Sequence, residues 1–103
     1  MNLRLQSIPK IIPETIQKTE LEPLYKVIIH NDDVTPMDFV IVVLERFFFV
    51  NGPAAIDIMY AAHFSGAAIV QYASKSEAQS RIGRAHFAAG LDGYPLRFTF
   101  EPE

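Results

Sequence analysis

The sequence predicts an α+β domain with the element order βααβαβ, a small sheet layered on helices. Three observations point there. A β-branched cluster, Val27-Ile28-Ile29, opens the regular part of the chain, and a segment in which Leu96, Phe98 and Phe100 alternate with Arg97, Thr99 and Glu101 closes it. Between them lie three helix-start signals, at Thr35-Pro36, at Asn51-Gly52-Pro53 and at Ser74-Lys75-Ser76-Glu77. Half of the 103 residues are hydrophobic, enough at this length for one modest core and not for two.

Residues 1–23 hold Pro9, Pro13 and Pro23 among mixed charges and aliphatics of no sustained period, which reads as a flexible N-terminal extension; residues 24–103 form the expected core domain. The first strand runs from Leu24 to His30 and stops at the polar run Asn31-Asp32-Asp33. Thr35 serves as a hydroxyl N-cap with Pro36 at the first helical position and Asp38 near the positive helix end, starting a helix that runs to Phe48. Val40 to Val43 has the composition of a strand, and the cap signal decides for a helix. The second helix starts at Asn51-Gly52-Pro53 and ends where Gly66 supplies a left-handed cap. A short strand over residues 68–72 follows. Then comes a capping box, in which Ser74 and Glu77 each satisfy an orphan amide, opening a third helix to about Ala89, with Gly90 as its stop and Asp92-Gly93 as a turn.

Charge narrows the possible functions. The chain carries 9 Lys+Arg against 12 Asp+Glu, and the whole excess of three acidic groups falls in residues 24–66. Binding nucleic acid phosphates needs clustered cations, and no basic stripe exists. The absence of Cys excludes disulfide scaffolds, thiol nucleophiles and Cys-ligated metals together. The longest uninterrupted apolar run, Phe39 to Leu44, is far short of the roughly 20 residues of a membrane span. The N-terminus shows neither a secretory signal nor a typical transit peptide, so the cytoplasm, or an organelle interior after processing, is the expected compartment.

His30, Asp32, Asp33 and His63 are the residues with chemistry to offer. Imidazole and carboxylate suit a mononuclear metal, and a His beside a carboxylate suits proton transfer. The spacing is unspecific, with no His pair at i, i+4, no nucleophile elbow and no glycine-rich phosphate loop. Asn and Asp at a strand end also cap turns through their own side chains, which is the plainer use of Asn31-Asp32-Asp33. No enzyme, metal or cofactor is expected from these residues.

The stretch from Tyr25 to Val40, YKVIIHNDDVTPMDFV, resembles the signature of the ClpS adaptor family, and the likeness continues through Val43-Leu44, Phe47-Phe48, Ala55, Met59, His63 and Gly66 to Pro95-Leu96 and Glu101-Pro102-Glu103. The resemblance implies a three-stranded antiparallel sheet packed against helices. It also implies a non-enzymatic adaptor that binds proteins bearing N-terminal Leu, Phe, Tyr or Trp, known as N-degrons, and delivers them to a Clp AAA+ unfoldase of the ClpA or ClpC type. In the roles it implies, Asn31, Asp32 and His63 bind the substrate α-ammonium. Ile29, Thr35, Met37, Val40, Met59, Ala62 and Leu96 then form the pocket for the first side chain, with Met37 beside Thr35 as the gate against β-branched residues. Gln79 and Arg81 contact the unfoldase N-terminal domain, the extension is the segment the unfoldase engages during hand-over, and the protein is a monomer. Two rivals remain, an interaction module of the same fold without N-degron delivery and a metal-dependent enzyme using His63 and Asp32.

The sequence departs from the family pattern in three places. Ala62 stands where Val is usual, implying a roomier pocket. Val34 replaces an aromatic. Gln79-Ser80-Arg81 stands where Glu-Thr-Lys is typical, which weakens the expected docking surface. Val42 and Phe49 fall near the outer face of the first helix, as a second contact surface or as extra core.

Overall fold

Among the described residues strand β1, Leu24–His30, is the central strand of the sheet because it alone pairs on both sides. A computed structural model describes residues 22–103, so most of the expected extension lies outside the described residues. Strand β2, Ala67–Ser74, pairs antiparallel with β1 along one edge, and β3, Arg97–Pro102, pairs antiparallel along the other, giving the order β2-β1-β3. The second strand is longer than the sequence suggests. Its register shifts between Val27 and Ile28, whose partners are Gln71 and Ile69, and the intervening Val70 is a bulge residue turned into the core.

Among the described residues three helices complete the α+β fold: α1, Met37–Phe48; α2, Gly52–Ser65; and α3, Lys75–Leu91. The core gathers Val27 and Ile29 of β1, Val43, Leu44 and Phe48 of α1, Met59 and Ala62 of α2, Ile82 of α3 and Phe98 of β3. The Phe48 and Phe98 rings pack at a tilt of 31° with centroids 4.6 Å apart, pinning α1 to the edge strand. Small residues (Ala78, Ala85, Ala89) make up the rest of the buried face of α3 and let it lie close to the sheet.

The helix ends are where local chemistry decides. Asn51 caps α2 by accepting from the Ala54 amide at 2.9 Å, and Gly66 ends it at φ 91°, a conformation a side chain would strain. The capping box at Ser74 and Glu77 is formed as the sequence suggests. Two expectations need correction. Thr35 is not the cap of α1: Pro36 occupies that position without a side-chain cap, because the Thr35 amide and hydroxyl are both donated to Asp32. Gly90 does not stop α3, which continues through Leu91 to a cap at Asp92; the reversal is made by Gly93 at φ 73° and by the Tyr94 amide donating to the Ala89 carbonyl at 2.9 Å.

Phe49 ends α1 in the left-handed region at φ 59°, which is costly for a residue with a Cβ. Its ring is 70% exposed and lies under the Arg81 guanidinium, 5.1 Å from the ring centroid. Arg81 also donates to Gln71 Oε1 at 2.8 Å and pairs with Glu77 at 3.4 Å, while Gln71 in turn donates to the Phe48 carbonyl. This group staples the end of α1 to β2 and α3. Val42 is also exposed, so neither Val42 nor Phe49 is additional core.

Candidate functional site

The site begins where β1 runs out. Beyond His30 the chain cannot continue as a strand through Asn31-Asp32-Asp33, and Asp32 folds it into a turn. One carboxylate oxygen of Asp32, Oδ1, accepts from the Val34 amide at 2.8 Å and the Thr35 amide at 2.6 Å; the other, Oδ2, accepts from the Thr35 hydroxyl at 2.8 Å. The turn-capping use of this segment is therefore realised, and it leaves spare acceptor capacity on Oδ2. Partial burial pushes the Asp32 pKa up, but the bonds from Thr35 and Val34 outweigh it and hold the carboxyl below the usual carboxylate range. The group is an anion throughout the neutral range.

The turn is anchored to the end of α2. The Asn31 amide donates to the Gly66 carbonyl at 2.9 Å, and the Gly66 amide donates back to Ala62. Through this link the left-handed cap of α2 sets the last turn of that helix, with Ala62 and His63, beside the Asn31-Asp32 turn.

Between them lies a cavity of about 290 Å³. Asn31, Asp32 and His63 stand on its wall, three groups rich in hydrogen-bond acceptors. Its apolar lining comes from Ile29 on β1, Met37 and Val40 on α1, Met59 and Ala62 on α2, and Leu96 just ahead of β3. Thr35 completes the set, so every residue that the resemblance assigns to the first side chain or to the α-ammonium lines this one cavity. Ile29, Met59, Ala62 and Leu96 are buried, whereas Met37 is 42% exposed and stands at the mouth. The volume suits one large side chain and not a drug-sized ligand.

Four further residues line the cavity: His30, Asp33, Val34 and Pro36. His30 Nε2 hydrogen-bonds Thr99 Oγ1 on β3 at 2.7 Å. Burial, and secondarily the Arg97 charge, lower the His30 pKa, so at neutral pH it is an uncharged member of the wall. Although His30, Asp32, Asp33 and His63 share this cavity, no group of three His, Cys, Asp or Glu side chains converges as a metal site requires, among the described residues.

Gln79 and Arg81 lie elsewhere, on α3. Gln79 is exposed, but the Arg81 side chain is only 24% exposed and its guanidinium is engaged by Gln71, Glu77 and Phe49. Sequence reasoning missed a second histidine contact: His86 Nε2, on α3, accepts from the Phe98 amide at 3.0 Å and covers a donor on the open edge of β3. Burial and then Arg97 lower its pKa as well, as an acceptor role demands. Among the described residues no helix is long and apolar enough to cross a membrane.

Residues 20–99 match the family model described as ATP-dependent Clp protease adaptor protein ClpS. The chain belongs to the ClpS family. As ClpS proteins are adaptors of the Clp protease, it is not an enzyme. It is 37% identical over 98 residues to the ATP-dependent Clp protease adapter protein ClpS of Desulfatibacillum aliphaticivorans, covering 95% of this chain and 94% of that one. The ClpS of Roseobacter denitrificans is 42% identical over 93 residues, covering 90% and 82%. Among solved structures, that of Agrobacterium tumefaciens ClpS2 bound to L-phenylalaninamide superposes with a TM-score of 0.76 at 38% identity, over 80% of this chain and 99% of that one.

Proposed function

We propose that this ClpS protein is an N-degron recognin: it takes the N-terminal Leu, Phe, Tyr or Trp of a polypeptide into the 290 Å³ cavity and passes that polypeptide to a ClpA- or ClpC-type unfoldase. The observation that carries the reading is the juxtaposition of an apolar pocket lining with an anionic, acceptor-rich wall made by Asn31, Asp32 and His63. That the related Agrobacterium ClpS2 holds L-phenylalaninamide, an aromatic residue with a free amine, supports it.

The chemistry follows from the donors available. An α-ammonium offers three N–H groups and no acceptor, and the rim offers acceptors for such a cation: the spare capacity of Asp32 Oδ2, the Asn31 side-chain oxygen and a His63 ring nitrogen. Hydrogen bonds to a charged partner contribute about 1.5–3 kcal/mol. Burial of the first side chain against Ile29, Val40, Met59 and Leu96 contributes roughly the same again. Met37 at the mouth, beside Thr35, crowds a second branch at Cβ, which disfavours Val and Ile. Ala62, a small residue on the wall, leaves room that favours Trp.

Hand-over involves the exposed Gln79 face of α3. The Arg81 charge remains near it, held by Glu77 and Gln71, so it acts on a partner through its field more than through free donors.

A nuclear magnetic resonance titration with L-phenylalaninamide and with N-acetyl-phenylalaninamide tests the reading. Shifts confined to residues 29–37, 59–63 and 96, seen with the free amine and absent with the acetylated one, are expected. Shifts centred elsewhere, or equal responses to both compounds, contradict it.

A further inference from the structure

We propose that the stretch of this chain holding Ile11, Ile12 and Ile16 docks on the outer face of α3, seating its isoleucines against Phe87 and Leu91. The inference stands apart from the peptide-binding reading. Helix α3 buries one face with Ala78, Ile82, Ala85 and Ala89, yet its opposite side is only partly polar, with Phe87 and Leu91 exposed beyond Gln79, Ser80 and Arg84. Phe87 and Leu91 are 71% and 72% exposed, and with Phe47 of α1 they line an open apolar groove whose floor at Gly83 is bare: a Cβ there would meet nothing within 4 Å. An aromatic and leucine pair at i, i+4 on a solvated helix, with no aromatic partner among the described residues, is a surface that burial would stabilise.

The place where the described chain starts says what covers it. Glu22 and Pro23 lie in a shallow depression that they share with Lys75 and Gln79, and Gln79 also lines the near end of the Phe87 groove. Glu22, the first described residue, therefore lies by one end of that groove. From Gln79 to Leu91 is twelve helical residues, roughly 18 Å. Six extended residues span about 20 Å, so Ile16, six residues ahead of Glu22, reaches the Leu91 end, and Ile11 and Ile12 have slack to settle beside it. Charge agrees with this path. Residues 11–22 carry Glu14, Glu20 and Glu22 against Lys18 alone, and the groove and its approach present Arg84 and Lys75, of which Arg84 makes no ion pair among the described residues. The docked segment passes over Gln79 and Ser80, so a partner that binds that face competes with it.

The chain has no cysteine, so Thr15→Cys gives a single site for a nitroxide label. In the ¹⁵N-labelled full chain the amides of residues 83–91 are expected to lose at least half of their intensity while those of β1 keep theirs, and reduction of the label restores them. Phe87→Glu with Leu91→Glu, both on the exposed face, removes the effect; if that variant unfolds, Ile12→Ser with Ile16→Ser makes the same demand from outside the described core. Broadening that is absent, or spread evenly over the surface, overturns the proposal. So does broadening retained in a mixture of labelled unenriched chain with unlabelled ¹⁵N chain, which assigns the groove to a second copy.

Discussion

Replacing Asp32 by Asn separates the two duties of this side chain. The turn needs acceptors, since Oδ1 takes the Val34 and Thr35 amides and Oδ2 takes the Thr35 hydroxyl. An Asn oxygen still accepts both amides, and the Thr35 hydroxyl can rotate to accept from the new amide group, so the loss of stability is held to about 1 kcal/mol. A substrate ammonium, by contrast, loses its anionic partner. Removing one charge-assisted bond costs about 1.5–3 kcal/mol, a weakening of roughly 10- to 150-fold. Asp32→Ala removes all three turn bonds as well, and at about 1 kcal/mol each the fold loses about 3 kcal/mol along with the affinity. Fluorescence anisotropy with a Phe-initiated peptide, alongside thermal unfolding, reads both quantities. Asp32→Asn binding within two-fold of the parent, at a preserved Tm, would refute the ammonium role.

Three further outcomes are expected. Ala62→Val returns two methyl groups to a wall position that is already buried, and crowding of about 1 kcal/mol or more lowers affinity for Trp-initiated peptides at least five-fold relative to Leu-initiated ones; an unchanged Trp:Leu ratio in competition titrations counts against the roomier pocket. His86 and His30 have folded-state pKa values depressed below 6.5, so the unfolded chain binds their protons more readily. Their contribution to stability is complete above about pH 6.5 and is lost as the pH falls from there through the folded-state values, whereas the Asp32 contribution is lost only below about pH 4. Urea unfolding between pH 8 and 5 should show the decline, and His86→Gln, which keeps an acceptor that does not titrate, should flatten part of it; an unaltered slope removes His86 from the account. Deleting residues 1–23 should leave peptide affinity within two-fold and impair degradation of an N-degron reporter by the reconstituted unfoldase and protease, and normal degradation by the truncated protein would contradict the hand-over role of the extension.

What the sequence made legible was local. Ser74 and Glu77 lie three residues apart, and the box they form depends on nothing beyond that turn. Asn51 and Gly66 likewise act within one helix end. The errors arose where two local solutions compete for the same atoms. Thr35 and Asp32 can each organise the start of α1, and a carboxylate is the stronger acceptor, so it captures the Thr35 amide and hydroxyl and leaves Pro36 at the cap. Gly90 could end a helix, but the partners that end this one lie at Gly93 and Tyr94, three and four residues on. Contacts across the sheet left no mark in the sequence. Nothing in the spacing of His86 and Phe98, or of Phe49, Gln71 and Arg81, signals that they meet, because the packing of α3 on the sheet brings them together. The site residues were legible only as a family pattern. Asn31 and His63 are 32 positions apart, and it is the Asn31 to Gly66 hydrogen bond that puts both on one cavity.

The central claim is that the cavity reads a free N-terminus together with its first side chain. Three labelled peptides that are identical after the first residue, beginning with Phe, Met or acetyl-Phe, test it in one titration series. The account predicts that the Phe peptide binds at least ten-fold more tightly than its acetylated form, as one lost charge-assisted bond of about 1.5 kcal/mol requires, with the Met peptide weaker than Phe. Equal affinity for all three would contradict it.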